Sequence, residues 1–184
     1  MDTKYYEGLA ELYLAEAEEM FGKRIGYRFD GLRFHNLRPQ VIQTRSHVQN
    51  EQPGFMVMLN GHASHDEKDG IFQLAHEVIH LLSPVAFDDK NELNYLEEGL
   101  AVYFSKFIVE RETGDLAFCN NALEIAPVYA EAFRLYSELN DYDPNAVRKL
   151  RDVHPIIATL KLEHFKLSCI SAPQPLLEAL LTKF

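Results

Sequence analysis

The sequence has no tryptophan, only 2 cysteines, and fewer basic than acidic residues, 18 Lys and Arg against 28 Asp and Glu. Each shortage excludes something. Two cysteines, Cys119 and Cys169, far apart in the chain, cannot build a disulfide framework and read as ordinary free thiols of a reducing compartment, in the core or on the surface. A formal charge of -10, with the basic residues scattered, leaves no cationic face for a phosphate backbone, so nucleic acid is not an expected partner. No apolar run is long enough to cross a bilayer, and the opening Met1-Asp-Thr-Lys-Tyr-Tyr-Glu is too charged for a secretory leader, so the expectation is a cytoplasmic protein without a membrane partner. Repeats and low-complexity tracts are also missing.

What is present is apolar mass: 47% hydrophobic residues, including 12 Phe and 9 Tyr, in 184 residues. That is enough for one globular domain over 1–184, divided into a sheet-containing part, 1–84, and a helical part, 85–184. Residues 4–21 carry Leu9, Leu12, Tyr13, Ala17 and Met20 at helical spacing, ending at Gly22. Ile25, Tyr27 and Phe29, then Asp30-Gly31, then Leu32 and Phe34 follow the pattern of a β-hairpin. Further strands are expected near Val41–Thr44 and Phe55–Leu59, the second closing at Asn60-Gly61.

After Gly70 the period changes to that of helices. Ile71, Leu74, Ala75, Val78, Ile79 and Leu81 surround one helix on nearly every side, which marks it as buried, and Pro84 follows it. A polar loop over 85–91 leads to a helix from about Glu92 to Glu110, with Gly114 beyond its end. Ala126, Tyr129, Phe133 and Tyr136 make another stripe. Asp143-Pro144 reads as an N-cap with Pro at the first helical position, and Pro155, Pro173 and Pro175 punctuate short later helices. The expected fold class is α+β: an N-terminal helix, a small mixed β-sheet, a buried helix and a helical lobe.

The buried helix carries His76-Glu-Val-Ile-His80. Residues four apart on a helix lie one above the other, so the two imidazoles aim at one point and can grip one metal ion. Glu77 projects beside that point, where a carboxylate can take a proton from water. Imidazoles drawn indoors need partners, and a metal supplies one to each. A hydrolytic zinc ion takes three protein ligands, so another is needed. The next helix offers Glu97 and Glu98, which point about 100° apart; Glu98 is the expected ligand and Glu97 a supporting or surface acid.

Tyr95-Leu-Glu-Glu98-Gly-Leu-Ala101 is similar to the Leu-Asn-Glu-Gly-Phe-Ala signature in the aminopeptidase branch of the gluzincins. These are zinc peptidases whose third ligand is a glutamate on the helix after His-Glu-x-x-His. Two features depart from that branch: seventeen residues separate His80 from Glu98, one fewer than usual, and Glu97 replaces the Asn. Val102 stands where thermolysin-like relatives carry Asp. The resemblance implies a zincin-like fold, a zinc cofactor on His76, His80 and Glu98, a peptide or protein substrate, and peptide-bond hydrolysis with Glu77 as the proton acceptor.

It further implies a Tyr or His donor for the oxyanion from the helical lobe, with Tyr129, Tyr136, His154 and His164 as candidates. His154 is favoured because it lies 56 residues past Glu98 in an interhelical segment ending at Pro155. Phe55-Met-Val-Met-Leu59-Asn-Gly61 is similar in position to the edge strand on which gluzincin substrates lie. Ile71-Phe-Gln-Leu-Ala-His76-Glu-Val-Ile-His80-Leu-Leu82 is also similar to the metal helix of ImmA/IrrE-type regulatory endopeptidases, which cleave one specific protein. A third alternative is a metal-binding interaction protein without turnover, with His62 or His65 closing the coordination.

Overall fold

A computed structural model describes residues 2–44, 52–85 and 92–184. The sheet lobe comprises α1 (Thr3–Phe21), β1 (Arg28–His35), β2 (Gln40–Thr44), β3 (Gly54–Asn60) and α2 (Glu67–His80). The helical lobe comprises α3 (Tyr95–Thr113), α4 (Leu116–Glu124), α5 (Pro127–Tyr142), α6 (Ala146–Val153), α7 (Leu162–Leu167) and α8 (Gln174–Leu181). The expected α+β order of one helix, a small mixed sheet and then helices is present. The proposed loop over 85–91 lies, beyond Val85, outside the described residues.

Helix α1 buries Tyr6, Ala10, Tyr13, Leu14, Ala17 and Phe21. This face is rotated from the expected stripe, since Leu12 is 56% exposed. The rotation follows from Tyr6, whose hydroxyl donates to the Ala63 carbonyl at 2.9 Å. Opposite it stands Gly70 of α2, where a Cβ would lie 2.0 Å from the same hydroxyl, so only glycine lets the two helices approach.

The sheet has the order β1-β3-β2, with β1 parallel and β2 antiparallel to β3. Two expectations are corrected here. Asp30-Gly31 does not turn the chain: β1 runs straight through it, and the register against β3 slips between Phe29 and Leu32. Gly31, at φ 89°, supplies the positive dihedral of a bulge instead of a hairpin. Glu7 accepts from the Leu32 amide at 3.2 Å, while Arg28 and Thr44 hold the Asp30 carboxylate. The segment Phe55–Leu59 is not an edge strand either. It lies in the central β3, and β1 and β2 are the edges.

The centre of the core is α2 against α3. Leu74, Val78, Ile79, Leu96, Leu100 and Phe104 are fully buried, each side chain contributing roughly 1.5–3 kcal/mol through its removal from water. Asp66 caps α2 through the Lys68 and Asp69 amides, so the helix starts before Gly70 and ends at His80, ahead of Pro84. Gly114 terminates α3 in the left-handed conformation, as its position predicts. Asp143 accepts from the Asn145 amide at 3.0 Å in a turn that ends α5, and α6 begins only at Ala146, so Pro144 precedes that helix instead of opening it.

Gly99 brings α5 onto α3. A Cβ there would meet the Ala132 carbonyl oxygen at 2.2 Å. Arg151 of α6 is 5% exposed and donates to the carbonyls of Phe21, Gly22, Lys23 and Leu82, tying the end of α1 to the segment after α2. Cys119 is buried and Cys169 exposed, and both are free. No helix among the described residues is long and apolar enough to cross a membrane.

Candidate metal centre

Helical spacing on α2 places the His76 and His80 rings 5.1 Å apart, centroid to centroid. Helix α3 brings Glu98 to them: Oε2 lies 3.1 Å from His76 Nε2, and Oε1 lies 3.9 Å from His80 Nε2. One ligand atom from each of the three residues falls within 4.8 Å of the other two, so the group can hold a metal ion. Glu77, 3% exposed, stands beside the group and not in it.

Of the two acids at the start of α3, Glu97 takes the supporting role. Its Oε1 lies 3.1 Å from His80 Nδ1, which turns Nε2 toward Glu98. Glu97 is itself fixed: its amide donates to the Asn94 side chain at 3.0 Å, and Asn94 donates to the Ile157 carbonyl at 2.9 Å. A short antiparallel bridge pins this helix start from outside. Asn94 faces Lys183, the Tyr95 amide donates to the Thr182 carbonyl, and the Phe184 amide donates to the Leu93 carbonyl.

Two carboxylate oxygens, Glu77 Oε2 and Glu97 Oε2, are buried without a hydrogen-bond partner among the described residues, and a third, Glu98 Oε2, faces only the imidazole of His76 at 3.1 Å. A buried carboxylate oxygen left unpaired is costly, and this cluster beside a cavity calls for a guest with positive charge or protons to offer. Burial pushes the Glu77 carboxyl up, against the pull of His80 and His76. For Glu98, burial is outweighed by His76, His80 and Arg38, which hold its carboxyl low. Burial alone would lower His80, but the hydrogen bond to Glu97 and the charges of Glu98, Glu77 and Glu97 lift it to about 10 in the metal-free protein.

No family model, curated protein or solved structure matches the chain. Two histidines and a glutamate are not diagnostic of a family, so the site is read from its own chemistry.

The group forms the floor of a cavity of about 300 Å³. One wall is Arg38, Pro39, Gln40 and Val41, at the start of the edge strand β2; the other includes Leu93, Tyr129 and Phe184. Among the four candidates for an oxyanion donor, Tyr129 is the one that lines this cavity. Its ring lies 5.7 Å from that of His76 and 4.9 Å from that of Phe184. Burial, with the nearby Glu98 charge, pushes its hydroxyl up to about 12, so it keeps its proton.

His154, favoured from its place in the sequence, is not among the residues that line the cavity. It stacks on His164 with ring centroids 4.4 Å apart, and its Nε2 lies 2.7 Å from Thr159 Oγ1. Tyr136 is buried against Tyr103. His62 and His65 are exposed and likewise absent from the lining. Sequence reasoning passed over Arg38 and Phe184. Neither belongs to a periodic pattern or a motif, and only the folded loops bring them in.

Proposed function

We propose that the protein is a zinc-dependent hydrolase of peptide bonds, working through His76, His80, Glu98, Glu77 and Tyr129. The observation that carries this reading is a trio of buried carboxylate oxygens beside two imidazoles, two of them without a hydrogen-bond partner among the described residues, with Glu77 adjacent to the metal-holding group but outside it. Two imidazole nitrogens and a carboxylate oxygen suit zinc and match a catalytic site, which keeps a position open. A bound zinc ion would supply Lewis-acid polarisation of the substrate carbonyl and acidification of water.

The chain's own groups divide the remaining work. Glu77, with its carboxyl raised by burial, is a stronger base than an ordinary glutamate; it accepts a proton from the attacking water and returns it to the leaving amine. Glu97 orients His80. Tyr129 retains its proton and donates to the developing oxyanion, the role assigned from the sequence to His154. Peptides as substrates are supported by the resemblance to gluzincins and by the edge of β2, unpaired among the described residues on the side away from β3, where an extended backbone can add as a further strand. A purely structural metal would want a fourth protein ligand, and the positions of His62 and His65 do not support that alternative.

The test is metal analysis after dialysis, beside turnover of a diverse peptide library, for the wild type, His76→Ala and Glu98→Ala. One zinc per chain and peptide cleavage are expected in the wild type. Both should be lost in the variants, with affinity down by more than about 100-fold, beyond the usual effect of a supporting residue. Equal zinc in all three proteins sinks the reading.

A further inference from the structure

Among the described residues, Arg38 is the only Lys or Arg lining the cavity, and it makes no side-chain hydrogen bond or ion pair there. Three other arginines are in ion pairs: Arg28 with Asp30, Arg111 with Glu16, Arg134 with Glu131. Arg38 is exposed and lines the same cavity as Glu77, Glu98 and Tyr129, so its guanidinium is open to a ligand that enters there.

Its backbone is held. The Asn60 side chain donates to the Leu37 carbonyl at 3.0 Å, and the Leu37 amide donates to His35 Nδ1 at 3.2 Å. The Asn60 amide in turn donates to Gln73 at 2.9 Å, and Gln73 lies on α2 one turn before His76. The loop carrying Arg38 is thereby registered to the helix that carries the two histidines.

Chain polarity then limits what Arg38 can meet. It precedes Gln40, the first residue of β2. A peptide added antiparallel to β2 runs its C-terminal end toward Arg38. One added in the parallel sense brings its N-terminal ammonium there, against a like charge.

We propose that Arg38 is a specificity-determining carboxylate anchor, so that this cleft selects peptides presenting a carboxylate, whether a free C-terminus or an Asp or Glu side chain. A guanidinium suits this task because it offers paired donors in a fixed plane to both carboxylate oxygens. The proposal rests on the peptidase reading above.

The test compares matched peptides on the zinc-loaded full chain: one with a free C-terminal acid, the same peptide as its carboxamide, and carboxamides with Glu for Gln at single positions. Wild type should favour a carboxylate-bearing member by roughly 10- to 100-fold in kcat/KM. The ratio should collapse to about one in Arg38→Ala and be intermediate in Arg38→Lys. Preference confined to the free acid assigns the C-terminus; preference confined to the Glu series assigns a side chain. A wild-type ratio near one, or the same ratio in Arg38→Ala, overturns the proposal.

Binding of fluorescent versions of these peptides to zinc-loaded Glu77→Gln, with and without Arg38→Ala, reads the same ratio without turnover. An Arg38-dependent binding ratio, together with a zinc-loaded wild type that cleaves none of these peptides, sinks the hydrolase and keeps the anchor. No measurable binding overturns the anchor.

Discussion

Arg151 and the Glu77–Glu97–Glu98 group are both charges taken out of water near the C-terminal end of α2. Arg151 donates to five backbone carbonyls, those of Phe21, Gly22, Lys23, Leu82 and Pro155, so its burial is answered entirely from within the chain. At the other place two enclosed carboxylate oxygens have no hydrogen-bond partner among the described residues, and a third has only the His76 imidazole. The first arrangement is complete and acts as a clamp. The second is incomplete, and its missing partners are those a metal ion and a substrate would bring. Buried charge therefore reads as architecture where its valences are filled and as a site where they are not.

The contrast breaks most visibly at Glu77. Replacing it by Gln in the zinc-loaded protein should lower peptide turnover by roughly 10²- to 10⁴-fold while zinc per chain is unchanged, because the general base is lost and the metal-holding residues are not. Retained turnover on the library would mean that the open valence of Glu77 is not used in the reaction.

Arg151→Met should behave the opposite way. Five carbonyls lose their donor, so urea unfolding should show a loss of roughly 3 kcal/mol, with Tm down by about 6–12 °C, at unaltered zinc stoichiometry. Loss of zinc at unchanged stability would erase the distinction between clamp and site.

The smallest effect is in pH. In the metal-free protein His80 is held at about 10, above its ordinary 6.5. The stability that its charge contributes is fully present below about pH 6.5 and is lost as pH rises through about 10. Glu77, raised by burial, acts in the same direction. Metal-free protein should therefore lose Tm between about pH 6.5 and 10. Zinc uptake in that window should release protons, because a metal needs the neutral imidazole. In Glu97→Gln, where the carboxylate partner of His80 is neutralised, the alkaline decline should shrink and zinc affinity fall by roughly tenfold.

The parts of the site legible in the sequence were those fixed by helical period. His76 and His80 must share a face at a spacing of four, and the apolar residues around them require burial. Glu98 follows because the next helix is also apolar around its first turn. Asp30-Gly31 misled because a turn dipeptide is a local signal, whereas the partner of β1 is β3, reached only after β2 has been laid down. The edge position of β2, and not β3, is likewise a fact of pairing. Tyr129 outranks His154 through packing. Gly99 lets α5 sit hard against α3, and that contact carries Tyr129 over His76 while His154 ends beside His164. Arg38 arrives on a loop whose anchor, Asn60, gives no sign in sequence of its bonds to Leu37 and Gln73.

The bridge between Leu93–Tyr95 and Thr182–Phe184 sets an order of events. Lys183 reaches back to the Glu92 carbonyl across 91 positions of chain. His76 and His80 are neighbours as soon as α2 winds, on the timescale of helix formation, but the start of α3 that aims Glu97 and Glu98 is pinned only once a distant loop has closed. On the proposed reading, an ion arriving during folding would first meet a pair of imidazoles and only later a set of three, so tight capture would come late, as a signal that the two halves of the chain have found each other.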